Sequence, residues 1–337
     1  MLSVVVITKN QAWNISRLLR SVEQAVRDLA NWEIILADSA STDGTAELAM
    51  NFAAVQVVHL RSDQRLTPAA GRYVGFHHTE GDLVLYMDGD TELVPGWLRS
   101  AIAVIQQYPK IAGVTGICVD VPKNSTPSLS INNPEFSFRE VKYLIGRMSL
   151  YRRSVLEEVG PFQPYLLAEE EPELGIRIRD ANYALVELQQ TAAFHHCDEE
   201  PDTFSTWICR WRRSFLFAQG QIFRHLYGTP LFWTYARERG YALVPAVAIL
   251  VGGAGLAASL QTRNPWWFAG YALVVAIVLT GDAIRKRSLK KMAVSLFFRI
   301  LSIAGAIKGA TIATPRPDTY RTDSEVASDP HLTSVFP

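Results

Sequence analysis

Twenty consecutive residues without a charge, Tyr241 to Leu260, constrain this chain more than any other feature. A helix of that length reaches across the hydrocarbon core of a bilayer. A second uncharged run, Trp266 to Gly281, reaches nearly as far once its flanks are included, and Gln261 to Pro265 between them predicts a tight turn. Basic residues gather outside this hairpin: Arg237 and Arg239 precede it, Arg285, Lys286, Arg287, Lys290 and Lys291 follow it, and Arg263 stands alone in the turn. Positive charge favours the cytoplasmic side, so the pattern predicts a multi-pass cell-membrane protein with a transmembrane hairpin over 241–283 and the preceding domain in the cytoplasm. A third apolar segment, 292–314, carries Arg299 and Lys308. Each would cost roughly 2.5–3.5 kcal/mol at a bilayer centre, so spanning the membrane and lying in its interface both stay open for this segment.

Ahead of the hairpin, Phe204, Trp207, Ile208, Trp211, Phe215, Ala218 and Ile222 fall on one helical face, with Arg210, Arg212, Arg213 and Arg224 facing away or flanking it. This predicts one amphipathic interfacial helix over 203–228. From Pro315 the chain is rich in Pro, Ser, Thr and Asp, which predicts a disordered tail over 315–337.

The remaining residues, 1–202, alternate short β-branched runs with helical patterns. Strands are expected at Ser3 to Thr8, Glu33 to Ala37, Val55 to Leu60, Leu83 to Met87 and Ala112 to Val119, with helices between most of them. The opening run lacks the basic start and small-residue cleavage site of a signal peptide and reads as a first strand. Such βαβ units build an α/β, Rossmann-like, mostly parallel sheet with helices on both faces and ligands at the carboxyl ends of the strands. Asp120 to Glu140, with Pro122, Pro127 and Pro134, interrupts the rhythm as a long loop. Lys plus Arg and Asp plus Glu balance at 33 each, so no overall basic field draws the chain to nucleic acid. Cys118, Cys197 and Cys209 have neither the even count of a disulfide framework nor the paired spacing of structural zinc.

Two acidic motifs follow expected strands: Asp38-Ser39-Ala40-Ser41-Thr42-Asp43-Gly44-Thr45 and Asp88-Gly89-Asp90. A D-x-D at a strand end lets two carboxylates converge on one hard cation, which can bridge the phosphates of a nucleotide. Asp-Gly-Asp is also ordinary turn chemistry, and its position after Leu83-Val84-Leu85-Tyr86-Met87 is what distinguishes it.

In this order the motifs resemble those of the family 2 glycosyltransferases of the GT-A fold over most of residues 3–190. Ser3 through Asn10 is similar to that family's first strand and nucleotide loop, with Thr8 and Asn10 at the loop, and Asp38 through Thr45 to its D-x-x-S-x-D-G-T segment. Pro68 through Gly75 resembles the segment that usually reads A-R-N-x-G, with Arg72 retained and Tyr73 where Asn is typical. The resemblance implies that Asp38 contacts the nucleotide base, Asp88 the ribose or a metal, and Asp90 a divalent metal, Mg2+ or Mn2+. Glu169-Glu170-Glu171-Pro172-Glu173-Leu174 resembles the family's E-D-x-E-L, whose second acidic residue is the general base. Glu171 takes that place, one methylene longer than Asp, and the choice between Glu170 and Glu171 stays open. The first turn of a helix favours their ionised form, and the same acids are also what any helix start favours. His195 and His196 follow a further expected strand, and either is a candidate third metal ligand; a lone histidine there is as readily structural. Arg210-Trp211 resembles the Q-x-x-R-W of processive synthases, but Trp207 stands at the glutamine position.

Together these features predict an inverting glycosyltransferase. It moves a sugar from a nucleotide-diphosphate sugar, a UDP-sugar being expected, to a lipid or lipid-linked saccharide acceptor at the cytoplasmic membrane face. One carboxylate base and no placed nucleophile imply a single displacement. The alternatives are a catalytically inactive membrane scaffold, a processive polysaccharide synthase and a nucleotidyltransferase; the last would open on a glycine-rich phosphate loop that Thr8-Lys9-Asn10-Gln11 lacks.

Overall fold

The run Leu2–Thr8 forms a strand, β1, buried along its entire length, as a β-branched run requires when helices cover both sheet faces. In the computed structural model, which describes residues 1–123, 125–127, 137–198 and 203–323, β1 is followed by α1 (Ile15–Val26), β2 (Trp32–Asp38), α2 (Thr45–Ala49), β3 (Val55–His59), α3 (Pro68–His77) and β4 (Leu83–Asp88). Next come β5 (Thr91–Leu93), α4 (Trp97–Gln107), β6 (Ile111–Val121), β7 (Phe138–Glu140), β8 (Met148–Arg152), α5 (Arg153–Val159), α6 (Glu170–Asp180) and β9 (Ala184–His196). The strands make one sheet in the order β3-β2-β1-β4-β8-β6-β9-β5, with β7 paired to β9.

Alternate residues of β1 serve different layers, as the two-residue period of a strand dictates. Val4 and Val6 pack with Leu18 and Leu19 of α1 and Trp97 of α4. Val5 and Ile7 pack on the other side with Ala70 and Val74 of α3, Val155 of α5 and Leu174 of α6. Thr67 caps α3 by accepting from the Ala70 amide, with Pro68 at the first turn. Two glycines let α3 approach β1: a Cβ on Gly75 would stand 2.2 Å from Val5 Cγ1, and one on Gly71 3.0 Å from Ile7 Cγ2.

The expected parallel arrangement holds for β3-β2-β1-β4. Beyond it the sheet is mixed: β8 runs antiparallel to both β4 and β6, while β6 and β9 are parallel. Strands β5, β7 and β8 are too short or too polar to read from periodicity, and β9 extends through His195 and His196, which the sequence had put after a strand. About half of the expected Asp120–Glu140 loop, residue 124 and residues 128–136, lies outside the described residues; its ends belong to β6 and β7.

The chain divides into two units, residues 1–199 with 315–337, and residues 200–314. The first part of the expected disordered tail is therefore a correction. Pro315–Asp323 joins the sheet domain because one large side chain, Tyr320, is 2% exposed in the α3–α5–α6 layer. It lies edge-on to Tyr73 and Tyr165, and its hydroxyl donates to the Arg65 carbonyl at 2.8 Å. Residues 324–337 lie outside the described residues.

The second unit holds α7 (Phe204–Arg212), α8 (Ala218–Leu226), α9 (Leu231–Arg239), α10 (Leu243–Thr262), α11 (Trp266–Lys286) and α12 (Leu289–Ala310). The single amphipathic helix expected over 203–228 is divided at Ser214, whose φ of 62° ends α7; a 3-10 turn at Phe215–Phe217 leads into α8. A left-handed residue cannot continue a right-handed helix. Helices α10, α11 and α12, of 20, 21 and 22 residues, are each long and apolar enough to cross a membrane.

Gly75→Ala puts a methyl group against a branched side chain in a filled core, and overpacking of this kind costs about 1–3 kcal/mol. Thermal unfolding of the detergent-solubilised protein is expected to show that loss for Gly75→Ala and a smaller one for Gly96→Ala, where φ is 90° but the space is open.

Candidate active site

The site lies where β1, β2 and β4 end, and its walls are set by register. Thr8 is opposite Asp38, and Ile7 is opposite Asp88. Asp38 is buried and fully engaged: Thr8 Oγ1 donates to it at 3.1 Å, the Ser41 amide at 2.9 Å and Ser41 Oγ at 2.5 Å, with His59 Nδ1 at 3.5 Å. Asn10, at φ 55°, receives the Thr42 amide on its Oδ1 and donates its own amide to Ser41 Oγ. Burial tends to raise the Asp43 carboxyl, but it accepts from the Thr45 hydroxyl and from the Ala12 and Thr45 amides, which together hold it below the usual range. The two expected nucleotide loops therefore brace each other. A cleft of about 440 Å³ beside them is lined by Ala40, His59, Leu60, Arg61, Ser62 and Asp63.

Arg72 forms the second half of the site. Its guanidinium, 1% exposed, donates through Nη2 to Asp88 Oδ1 and the Gly146 carbonyl, each at 2.9 Å, and through Nη1 to Glu170 Oε1 at 2.6 Å. Glu171 Oε1 lies 3.5 Å from the same Nη1, and the Phe162 ring lies below, 5.3 Å from the guanidinium carbon. The glutamates arrive by a local device: Glu169 takes a left-handed conformation, φ 62°, at the start of α6. Glu170 is then buried on Arg72, while Glu171, with 19% of its side chain exposed, lines a cleft of about 560 Å³ with Cys118, Tyr143, Gly146 and Arg147. A Cβ on Gly146 would fall 1.8 Å from Glu171 Oε1 and 2.9 Å from Arg72 Nη2, so any side chain there would displace the Glu171 carboxylate.

Desolvation and the neighbouring Glu170 carboxylate hold Glu171 well above the ordinary carboxylate range, with Arg72 pulling the other way. Burial likewise pushes Asp88 up to about 6 against the opposing pull of Arg72.

The structure separates the two histidines that the sequence left equal. His195 presents Nε2 to Asp90 Oδ2 at 3.4 Å and Nδ1 to Asp120 Oδ1 at 2.8 Å. The bond to Asp90 raises its pKa most, burial opposes, and Asp120 adds to the rise. His196, one residue on and so turned to the opposite side of β9, is buried between Glu92 Oε2 and Arg17 Nη1, each at 2.9 Å. Asp90 Oδ1 is buried without a hydrogen-bond partner among the described residues, an acceptor that a cation would satisfy, and a carboxylate beside an imidazole suits Mn2+ as well as harder ions. Asp120, His195 and Cys197 also bring one ligand-capable atom each within 4.8 Å of one another. Asp120 and Gly146 went unread in the sequence. Asp120 follows the apolar part of β6, a signal open to the strand-end criterion; nothing local marks Gly146.

Residues 3–160 match the model of Glycosyl transferase family 2. They are a family 2 glycosyltransferase domain. The chain is 24% identical over 202 residues to glycosyltransferase AglE of Haloferax volcanii, a match covering 57% of this chain and 66% of that protein. It is 31% identical over 115 residues to the undecaprenyl-phosphate 4-deoxy-4-formamido-L-arabinose transferase of Salmonella choleraesuis, covering 33% and 35%. The matched region thus spans less than two thirds of these relatives. Among solved structures, the mannosyltransferase PcManGT of Pyrobaculum calidifontis in complex with GDP-Man and Mn2+ superposes with a TM-score of 0.57 at 19% identity, over 91% of this chain and 86% of that one. Residues 1–349 of Staphylococcus aureus TarS, in complex with UDP-GlcNAc, superpose with a TM-score of 0.52 at 16% identity, over 85% and 92%. The glycosyltransferase domain has the GT-A fold expected for it.

Removing the cation at the centre of this domain leaves buried carboxylates uncompensated, a change that costs about 3–5 kcal/mol. Arg72→Ala is expected to lose that much in thermal unfolding. Arg72→Lys should recover only part of it, because a single ammonium cannot reach Asp88, Glu170 and the Gly146 carbonyl as the planar fork does.

Proposed function

We propose that this chain is an inverting glycosyltransferase that moves a sugar from a nucleoside-diphosphate sugar, UDP-sugars being the first donors to test, onto a hydroxyl of a lipid or lipid-linked acceptor at the cytoplasmic face of the membrane. The observation that carries the reading is the division of labour around Arg72: Glu170 is tied to it, while Glu171 is poised on the cleft with a raised proton affinity.

In this scheme Glu171 takes the proton of the acceptor hydroxyl. The oxygen attacks the anomeric carbon from the side opposite the diphosphate, a C–O bond forms, and the bond to the phosphate oxygen breaks with inversion. Asp90 and His195, with Asp88 adjoining, would hold a divalent cation, which would supply charge to stabilise the departing diphosphate. Asp38, Thr8 and Asn10 shape the nucleotide side, with Asp38 toward the base, and Arg72 keeps Asp88 and Glu170 in place. Asp120 fixes the His195 ring so that Nε2 faces Asp90, the arrangement that orients metal-ligating histidines generally. Within the domain, Glu171 faces a cleft beside a buried cation instead of open solvent, which favours an enzyme over an inactive scaffold. At the glutamine position of processive synthases, Trp207 stacks on Phe298 at 4.1 Å and takes Arg210 over its ring, a packing role that argues against a processive synthase.

Nucleotide release by the detergent-purified full chain, offered a panel of sugar nucleotides with Mn2+ or Mg2+ and membrane lipid extract, tests the reading. Lipid-dependent release from one donor is expected, and Glu171→Gln should lower kcat about 100- to 10,000-fold with donor binding kept. Loss of donor binding instead would assign Glu171 to the nucleotide. Because the base must be unprotonated, kcat/KM should rise with pH through a limb lying above the ordinary carboxylate range, and that limb should vanish in Glu171→Gln. For the cation, Asp120→Ala should weaken Mn2+ binding about 10- to 100-fold in a direct titration, with Asp120→Asn intermediate, whereas His196→Asn should leave Mn2+ affinity unchanged.

A further inference from the structure

Three helices qualify as spans by length and composition, yet the chain fixes how many can cross. Residues 315–323 belong to the same unit as residues 1–198. Tyr320 is in its core, Gln64 holds Arg321 by both main-chain groups at 2.8 and 3.0 Å, the Thr322 carbonyl meets His78 Nε2 at 2.9 Å, and Asp323 pairs with Arg61 at 3.2 Å. A folded polar body does not straddle a bilayer, so the segment 203–314 starts and ends on one side, and its number of crossings is even.

We infer that α10 and α11 cross the membrane as a hairpin, and that α12 does not cross but lies along the lipid interface on the side of the glycosyltransferase domain. The odd helix out is identified by three features. Arg299 stands in the middle of α12, where a span would hold it at the bilayer centre, while α10 and the first 16 residues of α11 contain no Asp, Glu, Lys or Arg. Mean hydropathy falls from 2.1 in α10 to 1.8 in α11 and 1.5 in α12, so α12 is the least costly to leave at the surface. Finally, α12 alone of the three has a continuous protein-facing stripe.

That stripe is Val294, Ser302, Gly305 and Gly309. It lies against the 3-10 turn and α8 so closely that a Cβ on Gly309 would fall 1.8 Å from the Phe217 carbonyl, one on Gly305 2.4 Å from the Leu216 carbonyl, and one on Gly220 1.7 Å from the Ala306 carbonyl. Nine-residue α8 reaches about 14 Å, far short of a bilayer. The opposite face of α12 carries Leu289, Leu296, Ile300 and Ile307, all exposed and spaced at helical period, an apolar stripe suited to the acyl boundary. Arg299 and Lys308 flank it: Lys308 Nζ lies over the Phe217 ring at 4.7 Å, and exposed Arg299 stands where a long basic side chain reaches the headgroups.

Single cysteines in a background with Cys118, Cys197 and Cys209 changed to Ser test the topology, using a membrane-impermeant maleimide on right-side-out and inside-out vesicles. Ser288→Cys and Thr311→Cys are expected to react on the same face as Glu47→Cys in the glycosyltransferase domain, and Asn264→Cys on the other. Reaction of Thr311→Cys opposite to Ser288→Cys would make α12 a span, and reaction of Asn264→Cys with the rest would remove the hairpin; either overturns the inference. Should the cysteine-free background fail to accumulate, a reporter active on only one side of the membrane, fused after Asn264 or after Thr311, reads the same two positions. The outcome does not depend on whether the chain transfers a sugar.

Discussion

One buried guanidinium holds the site together. Asp88 comes from the end of β4, Glu170 and Glu171 from the start of α6, and the Gly146 carbonyl from the segment before β8; Arg72 is the cation that faces all four. Without it, carboxylates drawn into so small a volume would repel one another or take up protons, because burial and mutual proximity both disfavour their charged forms. With it, Glu170 is paired at 2.6 Å, while Glu171 stands 3.5 Å from the same nitrogen, and burial and the Glu170 carboxylate raise its proton affinity against the pull of Arg72. The same cation thus ties one glutamate down at contact distance and leaves its neighbour facing the cleft, a separation that the sequence Glu-Glu-Glu does not contain.

Placing that cation depends on packing rather than on charge. Gly71 and Gly75 bring α3 onto β1 so closely that a side chain at 75 would collide with Val5 and one at 71 would press on Ile7, and Arg72 between them is carried to the depth at which its fork meets β4 and α6. A related restriction operates at Gly89, where a Cβ would stand 2.8 Å from Gln11 Cγ and 3.2 Å from the Ile7 carbonyl. The turn between Asp88 and Asp90 can therefore lie directly on the nucleotide loop only with glycine at its centre. Asp-Gly-Asp is in this respect a packing motif as well as an acidic one.

What could be read from the sequence is what local chemistry determines. The β-branched runs of β1 to β4 and the strand-end positions of Asp38, Asp88 and Asp90 follow from periodicity and from the α/β sheet's habit of presenting ligands at carboxyl ends. Long-range pairing was not readable. Strands β5, β7 and β8 owe their conformation to the neighbours that hydrogen-bond them, and β8 reverses the sheet's direction without a local sign. The difference between His195 and His196 depends on which face of β9 meets Asp90 and Asp120, and a register of that kind cannot be seen until the partner strands are known. The expected interfacial helix had the right composition and the wrong continuity, since a serine in the left-handed region is a tertiary outcome.

Tyr73 shows how a departure from a family pattern can be structural. At the position where asparagine is usual, its ring lies on the inner layer of α3, edge-on to His77 and, at 6.1 Å, to Tyr320. An asparagine would leave Tyr320 without that partner, and Tyr320 is the only large apolar side chain of 315–323 in the core. The strand of chain it anchors also holds Arg61, Asp63, Gln64 and Arg65, part of the wall beside the Asp38 loop. The exchange at position 73 and the return of the chain after α12 are thus two sides of one contact. That contact couples the Asp38 side of the site to a segment separated from it in sequence by every helix of the second unit.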